Sequence, residues 1–189
     1  MSSRRIGVDI DGVICNSEPI YREIIEDQKG IFLSEPQRVY GYADIFTYDD
    51  IKPMIETFYS KRILDPKPII WARAMIQALL DWGISVHLLT ARPERTKEGT
   101  LEWLELWNVP RSAVAHDWNK VKYATDNGLT VMVEDKASTA NAFAEAGIHS
   151  ILFTQRWNLQ ENVEYPIHEK VIRLDNWPSI HDKIKEILQ

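Results

Sequence analysis

Apolar and polar positions along this chain follow two different rhythms. From residue 83 onward, short apolar runs alternate with amphipathic stretches. The runs at residues 85–90 (SVHLLT), 114–115, 130–133 (TVMV), 150–153 and 171–174 read as buried strands. Between and after them, apolar spacings of three and four predict helices over residues 96–107, with Thr96 as its cap, and over 119–127, 137–146 and 178–188. Another helix is predicted over residues 69–82, after a turn at Asp65-Pro66-Lys67-Pro68. The chain opens on one more strand, which runs into Asp9. Alternation of this kind predicts an α/β fold: a doubly wound parallel sheet, helices on both faces, right-handed crossovers.

Residues 16–68 break that rhythm. A helix is predicted over residues 18–29, with Ile20, Ile24 and Ile25 on one face and Gly30 closing it. Residues 33–50 are irregular, and a second helix is predicted over 51–60, with Met54, Ile55, Phe58 and Tyr59 on its apolar side. The expected organisation is a core of residues 1–15 and 69–189, with residues 16–68 as a helical insertion after the first strand. No internal repeat or low-complexity tract interrupts it.

Composition narrows the class. At 189 residues, 44% hydrophobic and 26% charged, the chain has enough apolar material for a sizeable core without a metal or disulfide staple. The net charge of −6 argues against a broad nucleic-acid surface, so no nucleic-acid polymer is expected as a partner. Cys15 is the only cysteine, which rules out an intrachain disulfide and fits a reducing compartment; it reads as a small buried hydrophobe. No apolar run approaches a membrane span, and no signal-peptide core opens the chain, so the expected location is the cytoplasm, with no membrane partner. Oligomeric state is not legible.

The chemistry collects at strand ends. Asp9 and Asp11 flank Ile10 and precede Gly12, which lets the backbone turn. Two carboxylates so close need a positive neighbour, and a hard cation such as Mg2+ beside phosphate is the usual one. Thr90-Ala91-Arg92 and Glu134-Asp135 end two further strands, and a parallel sheet collects ligands beyond such ends. One of Asp9 and Asp11 is suited to attack phosphorus, the other to shuttle a proton. Thr90, the amides of Ala91 and Gly12, and Lys120 are suited to hold phosphoryl oxygens. Asp135 would add a metal oxygen and Glu134 a metal-bound water.

Taken together, D-x-D-G-V, L-L-T-A-R-P, a lysine and V-E-D-K, in that order, resemble the haloacid dehalogenase-like phosphohydrolase superfamily. The resemblance covers most of the chain, and the insertion looks like that superfamily's C1-type cap. It implies Asp9 as nucleophile, Asp11 as general acid and base, and Mg2+ on Asp9, Asp135 and the Asp11 carbonyl. It also implies that Thr90 and Lys120 (with Lys122 as the neighbouring alternative) hold the phosphoryl group. The short cap, the T-A-R-P run and the F-T-Q-R-W-N stretch look most like the 5′(3′)-deoxyribonucleotidase-like group, which implies a deoxynucleoside monophosphate substrate.

Blander readings exist for each residue. The acids at 134 and 135 also suit a helix N-terminus, and Lys120 a solvated helix position. Arg92 reads either as a phosphate contact or as the partner of a loop carboxylate. Tyr40, Tyr42, Phe46 and Tyr48 are expected either to stack on a base or to form the cap's own small core. His87 reads as a satisfied core residue, His116 as a loop residue beside the site, and Trp157 as packing. The alternatives to a phosphatase are a phosphate- or nucleotide-binding module of the same fold without turnover, and phosphotransfer to an acceptor other than water.

Overall fold

The computed structural model describes residues 4–163 and 165–189. Its main sheet has six parallel strands: β1 (Arg5–Val8), β4 (Ser85–Thr90), β5 (Ala113–His116), β6 (Val131–Glu134), β7 (His149–Phe153) and β8 (Val171–Leu174). They lie in the order β5-β4-β1-β6-β7-β8, the doubly wound arrangement. The chain therefore builds outward from β1 in one direction and then, from β6, in the other. That reversal puts a crevice between the carboxyl ends of β1 and β6.

Side chains alternate across these strands, so both faces must be covered. Val86, Leu88, Val131 and Val133 join one buried cluster, with Ile76 and Leu79 of α3 (Ala72–Asp81), Trp103 of α4 (Lys97–Leu106) and Trp177, Ile180 and Ile184 of α7 (Trp177–Ile187). Leu89 and Met132, one residue out of phase, join the opposite cluster with Ala124 of α5 (Lys120–Asp126) and Phe143 of α6 (Ala137–Glu145). Among the described residues no helix is long and apolar enough to cross a membrane.

The insertion holds its own apolar cluster: Ile20, Ile24 and Ile25 of α1 (Glu18–Lys29), Ile51 and Met54 of α2 (Tyr48–Thr57), with Tyr42, Phe58 and Ile63. Helix α1 starts on a proline in its first turn and ends at Gly30, whose φ of 66° is the left-handed closure glycine favours. Three expectations need correcting here. The turn at residues 65–68 contains a short strand, β3 (Lys67–Pro68), antiparallel to β2 (Cys15–Asn16), so a two-stranded clasp closes the insertion. The helix expected at 51–60 starts earlier, because Thr47 and Asp50 form a capping box, and ends in a π-helical turn at Phe58–Arg62. Thr96 does not cap α4: its hydroxyl donates to the Pro93 carbonyl at 2.8 Å.

Candidate active site

Three neighbouring strands deliver the site. Val8 pairs with Leu88 on one side and Val133 on the other, so β1, β4 and β6 end level. The Asp9 N–H continues the ladder, donating to the Val133 carbonyl at 2.9 Å. Asp9, Glu134 and Asp135 are buried, and one carboxylate oxygen from each lies within 4.8 Å of the others. Lys120, the first residue of α5 and itself buried, brings its ammonium to 2.8 Å from Asp9 Oδ1 and also donates to Glu134 Oε1. Of the two lysines weighed from sequence, Lys120 is therefore the one in the site; Lys122 pairs with Asp126 on the exposed face of the same helix.

The electrostatics are unbalanced. Three carboxylates share one ammonium in a dry setting. Burial first, and then Glu134, push Asp9 up to about 7 despite Lys120. Burial and then Asp9 raise Asp135 well above the carboxylate range. Lys120 goes the other way: burial would lower it, but Asp9 and Glu134 raise it above its ordinary value. A buried, all-oxygen donor set with excess negative charge fits a hard divalent cation such as Mg2+. Within the cluster the roles differ. Glu134 spends Oε1 on Lys120 and Oε2 on the amides of Asp135 and Lys136, at 3.2 and 3.3 Å. Its carboxylate thus organises the lysine and the following loop. Asp9 takes both of its bonds, from Lys120 and from the Ile10 amide, on Oδ1.

Asp11 faces a different cation. Arg92 donates from Nε to Asp11 Oδ2 at 2.7 Å and from a terminal nitrogen to Oδ1 at 2.8 Å. Burial alone would raise Asp11, but the Arg92 charge and its paired bonds outweigh that and hold the carboxyl below its ordinary value. Of the two roles weighed for Arg92, the pairing with a loop carboxylate is the one observed. Thr90 is buried at the end of β4, and its hydroxyl accepts from the Arg92 amide at 3.1 Å; Ala91 follows in the same loop. His116 donates from Nδ1 to the Arg92 carbonyl at 3.1 Å. Cys15 is buried, its thiol pushed up by burial and then by Asp11, as suits a packing residue.

Gly12 has a geometric task. At φ 73° a Cβ there would lie 2.2 Å from Asp135 Oδ2, so only glycine lets the two loops meet. Its amide, expected to face phosphate, donates instead to the Cys15 carbonyl at 2.9 Å. Asp135 is further held by residues that the sequence did not mark as functional. Trp157 Nε1 donates to Asp135 Oδ2 at 3.1 Å, Asn158 donates to the Asp135 carbonyl at 2.7 Å, and Gln155 donates to the Gly12 carbonyl at 2.7 Å. The one signal for them was the polar Q-R-W-N run directly after a buried strand.

Opposite these groups stands the insertion. The Tyr40 ring lies 4.8 Å from the Lys136 ammonium. Tyr40 is 47% exposed, and burial, then Asp135 and Asp9, raise its phenol. Tyr59 and Tyr21 are raised too, by burial first and with Asp11 contributing to both, so the acids are felt at all three phenols. The other expected insertion residues do not join them. Tyr42 is buried, its hydroxyl donating to Glu18 at 2.9 Å; Phe46 packs on the insertion's own cluster; Tyr48 is 70% exposed at the start of α2. Tyr59 had no sequence signal beyond membership of a helical apolar face, and Tyr21 had none.

No protein-family model matches the chain, and no curated protein matches it. Its fold does match solved structures over nearly the full length. A predicted phosphatase from Clostridium acetobutylicum superposes with a TM-score of 0.72 at 15% identity, covering 97% of this chain and 99% of that one. A predicted phosphoglycolate phosphatase from Haemophilus somnus gives 0.67 at 16% identity, covering 100% and 99%. A haloacid dehalogenase-like family hydrolase from Xanthomonas campestris gives 0.65 at 14% identity, covering 97% and 95%. The chain therefore has the Rossmann-like α/β fold of the haloacid dehalogenase-like hydrolases.

Proposed function

We propose that this chain is a Mg2+-dependent phosphomonoester hydrolase that works through an aspartyl phosphate on Asp9. The observation that carries the reading is the buried cluster in which Asp9, Glu134 and Asp135 each bring a carboxylate oxygen within 4.8 Å of the others while Asp9 Oδ1 is tied to Lys120. Asp9, Asp135 and the main-chain carbonyl of Asp11 would hold Mg2+, which when bound supplies positive charge to the phosphoryl oxygens. Thr90 and Lys120 hold the phosphoryl group, the lysine also keeping Asp9 ionised and oriented.

In the first step Asp9 Oδ2 bonds to phosphorus while the ester P–O bond breaks, and Asp11, which takes up a proton against the pull of Arg92 before each turnover, gives that proton to the departing alcohol oxygen. In the second, Asp11 takes a proton from water as that water bonds to phosphorus and the P–O bond to Asp9 breaks. Phosphate leaves, Asp9 is a carboxylate again and Asp11 is protonated, ready for the next ester. The insertion acts as a cap that excludes bulk water and chooses the alcohol.

For the substrate we infer a small phosphorylated metabolite, with deoxynucleoside monophosphates as the first to test. The tyrosines at the mouth support a ring-bearing alcohol. The similar structures are described as phosphatases, hydrolases and a phosphoglycolate phosphatase, so they favour no nucleotide over other small monoesters. The test is phosphate release from a panel of monoesters, including p-nitrophenyl phosphate and deoxynucleoside 5′- and 3′-monophosphates, with and without Mg2+. Turnover should require Mg2+ and fall at least about 10³-fold in Asp9→Asn. Full turnover in that variant would end the reading.

A further inference from the structure

The hydrogen bonding around Arg92 is unusually complete for a residue with no place in the phosphate site. Its side chain is 1% exposed. Nε and one terminal nitrogen grip the two oxygens of Asp11. The other terminal nitrogen donates to Thr100 Oγ1 at 3.2 Å, and the hydroxyl of Thr100 is itself fixed by donating to the Thr96 carbonyl at 3.0 Å. Cys15 Sγ lies 3.6 Å from the nitrogen that holds Oδ1. The main chain of the same residue is anchored at both ends, its N–H by Thr90 and its carbonyl by His116. Over the guanidinium lies Phe58 of the insertion, its ring centroid 5.8 Å from Cζ, in the π-helical turn and stacked on Tyr21 at 4.6 Å.

Geometry decides what this seat can do. Three of the five guanidinium N–H groups are committed to Asp11 and Thr100, and a fourth faces Cys15 Sγ. With a side chain only 1% exposed the group is walled off from a phosphate, so direct substrate binding is not its role. A two-point guanidinium–carboxylate contact fixes the carboxylate plane as well as its position. Each Asp11 oxygen has two lone pairs, and the fork takes one from each. Ser17 also bonds to Asp11, and the lone pairs left over, whose direction Arg92 sets, are what can exchange a proton. A lysine would keep the charge and lose the plane.

We propose that Arg92 is a positioning residue that aims the Asp11 carboxyl at the departing alcohol, with Thr100 and the insertion's Phe58 completing its seat. This rests on the phosphatase reading above and adds to it which residues make the proton transfer work. It also ties that transfer to the insertion, because the insertion's Phe58 lies over the Arg92 guanidinium.

The experiment separates proton delivery from everything else by the choice of ester. p-Nitrophenolate leaves without help from an acid, whereas an alkoxide does not. kcat/KM covers the steps through departure of the alcohol, and is measured for p-nitrophenyl phosphate and for the best alkyl monophosphate of the panel. Arg92→Lys should lower it for the alkyl ester about tenfold more than for the aryl ester. Asp11→Asn should show the same ranking, and adding Arg92→Lys to it should cost less than about threefold more, since both changes remove one function. Equal losses on the two esters, or multiplied losses in the double variant, would overturn the proposal.

Thr100→Val keeps the shape of the seat, leaves Asp11 and its partner in place and removes one bond to Arg92. It should show the same ranking at about threefold, and it decides the matter if circular dichroism shows that Arg92→Lys does not fold. Asp9→Asn is run alongside. Turnover retained there would sink the phosphatase reading itself, whereas an inactive Asp9→Asn with equal losses in Arg92→Lys would sink only the positioning role.

Discussion

On the core side of the site each acid is gripped by a named partner: Lys120 for Asp9 and Glu134, Arg92 for Asp11, Trp157 and Asn158 for Asp135. On the insertion side the aromatic groups hold one another. Tyr21 stacks on Phe58 at 4.6 Å, Phe58 meets Tyr59 edge-on at 5.4 Å, and Tyr40 rests on Lys136. Charge-assisted hydrogen bonds fix direction, whereas aromatic contacts tolerate several arrangements of similar energy. In our reading the rigid wall carries the bond-breaking chemistry and the softer wall carries the choice of alcohol. Changes on the core side should then act whatever the shape of the alcohol, with Arg92 and Asp11 sensitive only to how much acid help its departure needs. Changes on the insertion side should reorder esters by the shape of the alcohol.

The harshest way to break this division is Lys120→Met. It strands two buried carboxylates without their ammonium, which costs about 3–5 kcal/mol where they stay charged. We expect a clear fall in Tm by thermal melt, and a loss of roughly 10²–10³ in kcat on aryl and alkyl esters alike. Retention of turnover would mean that the core wall is not where phosphoryl charge is met.

Gly12→Ala follows. The new methyl sits in a left-handed backbone position and collides with Asp135 Oδ2, so one of the two loops must shift. We expect about 1–3 kcal/mol lost on unfolding, roughly 10²-fold lower kcat from misplacement by an ångström, and a Mg2+ requirement raised about tenfold. Equal activation by Mg2+ in both proteins would detach Asp135 from the cation.

This same loop shows what the sequence could convey. Asp9, Thr90 and Asp135 were legible because each ends an apolar run, and a parallel sheet of these strands puts such ends on one edge. Lys120 was legible only as the first residue of a helix. The insertion resisted reading for a backbone reason. Tyr42 adopts a φ of 57°, so Tyr40 and Tyr42 do not follow strand or helix alternation: the acids are felt at one phenol and the other is buried against Glu18. Met54, Ile55, Phe58 and Tyr59 do share the insertion's apolar cluster as three-and-four spacing assigns, and the π-helical turn that begins at Phe58 carries no such sequence signal. Phe58 is fully buried over Arg92, while Tyr59 meets Phe58 edge-on and is only partly buried. Trp157 was invisible for another reason, since a tryptophan packs in either case and only its N–H distinguishes the two uses.

A smaller effect sharpens the electrostatic half of the comparison. Asp9 and Asp135 have folded pKa values raised above those of an unfolded chain, so the metal-free fold binds protons that the unfolded state has released. Stability of protein stripped of divalent cations should therefore fall as pH rises from about 4 through about 7, then level off. The expected drop in Tm from pH 5 to pH 8 is roughly 5–10 °C, flattened by millimolar Mg2+ and reduced in Asp9→Asn. A metal-free Tm that rises with pH over that range would contradict the charge imbalance at the core wall.

The mildest change tests the other wall. Tyr40→Phe removes one hydroxyl and keeps the ring on Lys136, so the fold and the acids are untouched. One hydrogen bond to a bound alcohol contributes about 0.5–1.5 kcal/mol, so KM for a deoxynucleoside monophosphate should rise roughly threefold. kcat for p-nitrophenyl phosphate, which has no sugar to meet that hydroxyl, should stay within about twofold. Tyr48→Phe serves as the matched control, because Tyr48 is 70% exposed at the start of α2 and should change neither ester. If Tyr40→Phe slowed p-nitrophenyl phosphate as severely as Gly12→Ala does, its phenol would belong to the chemistry. The two walls would then share one task, because that hydroxyl would be supporting the acids and selecting nothing.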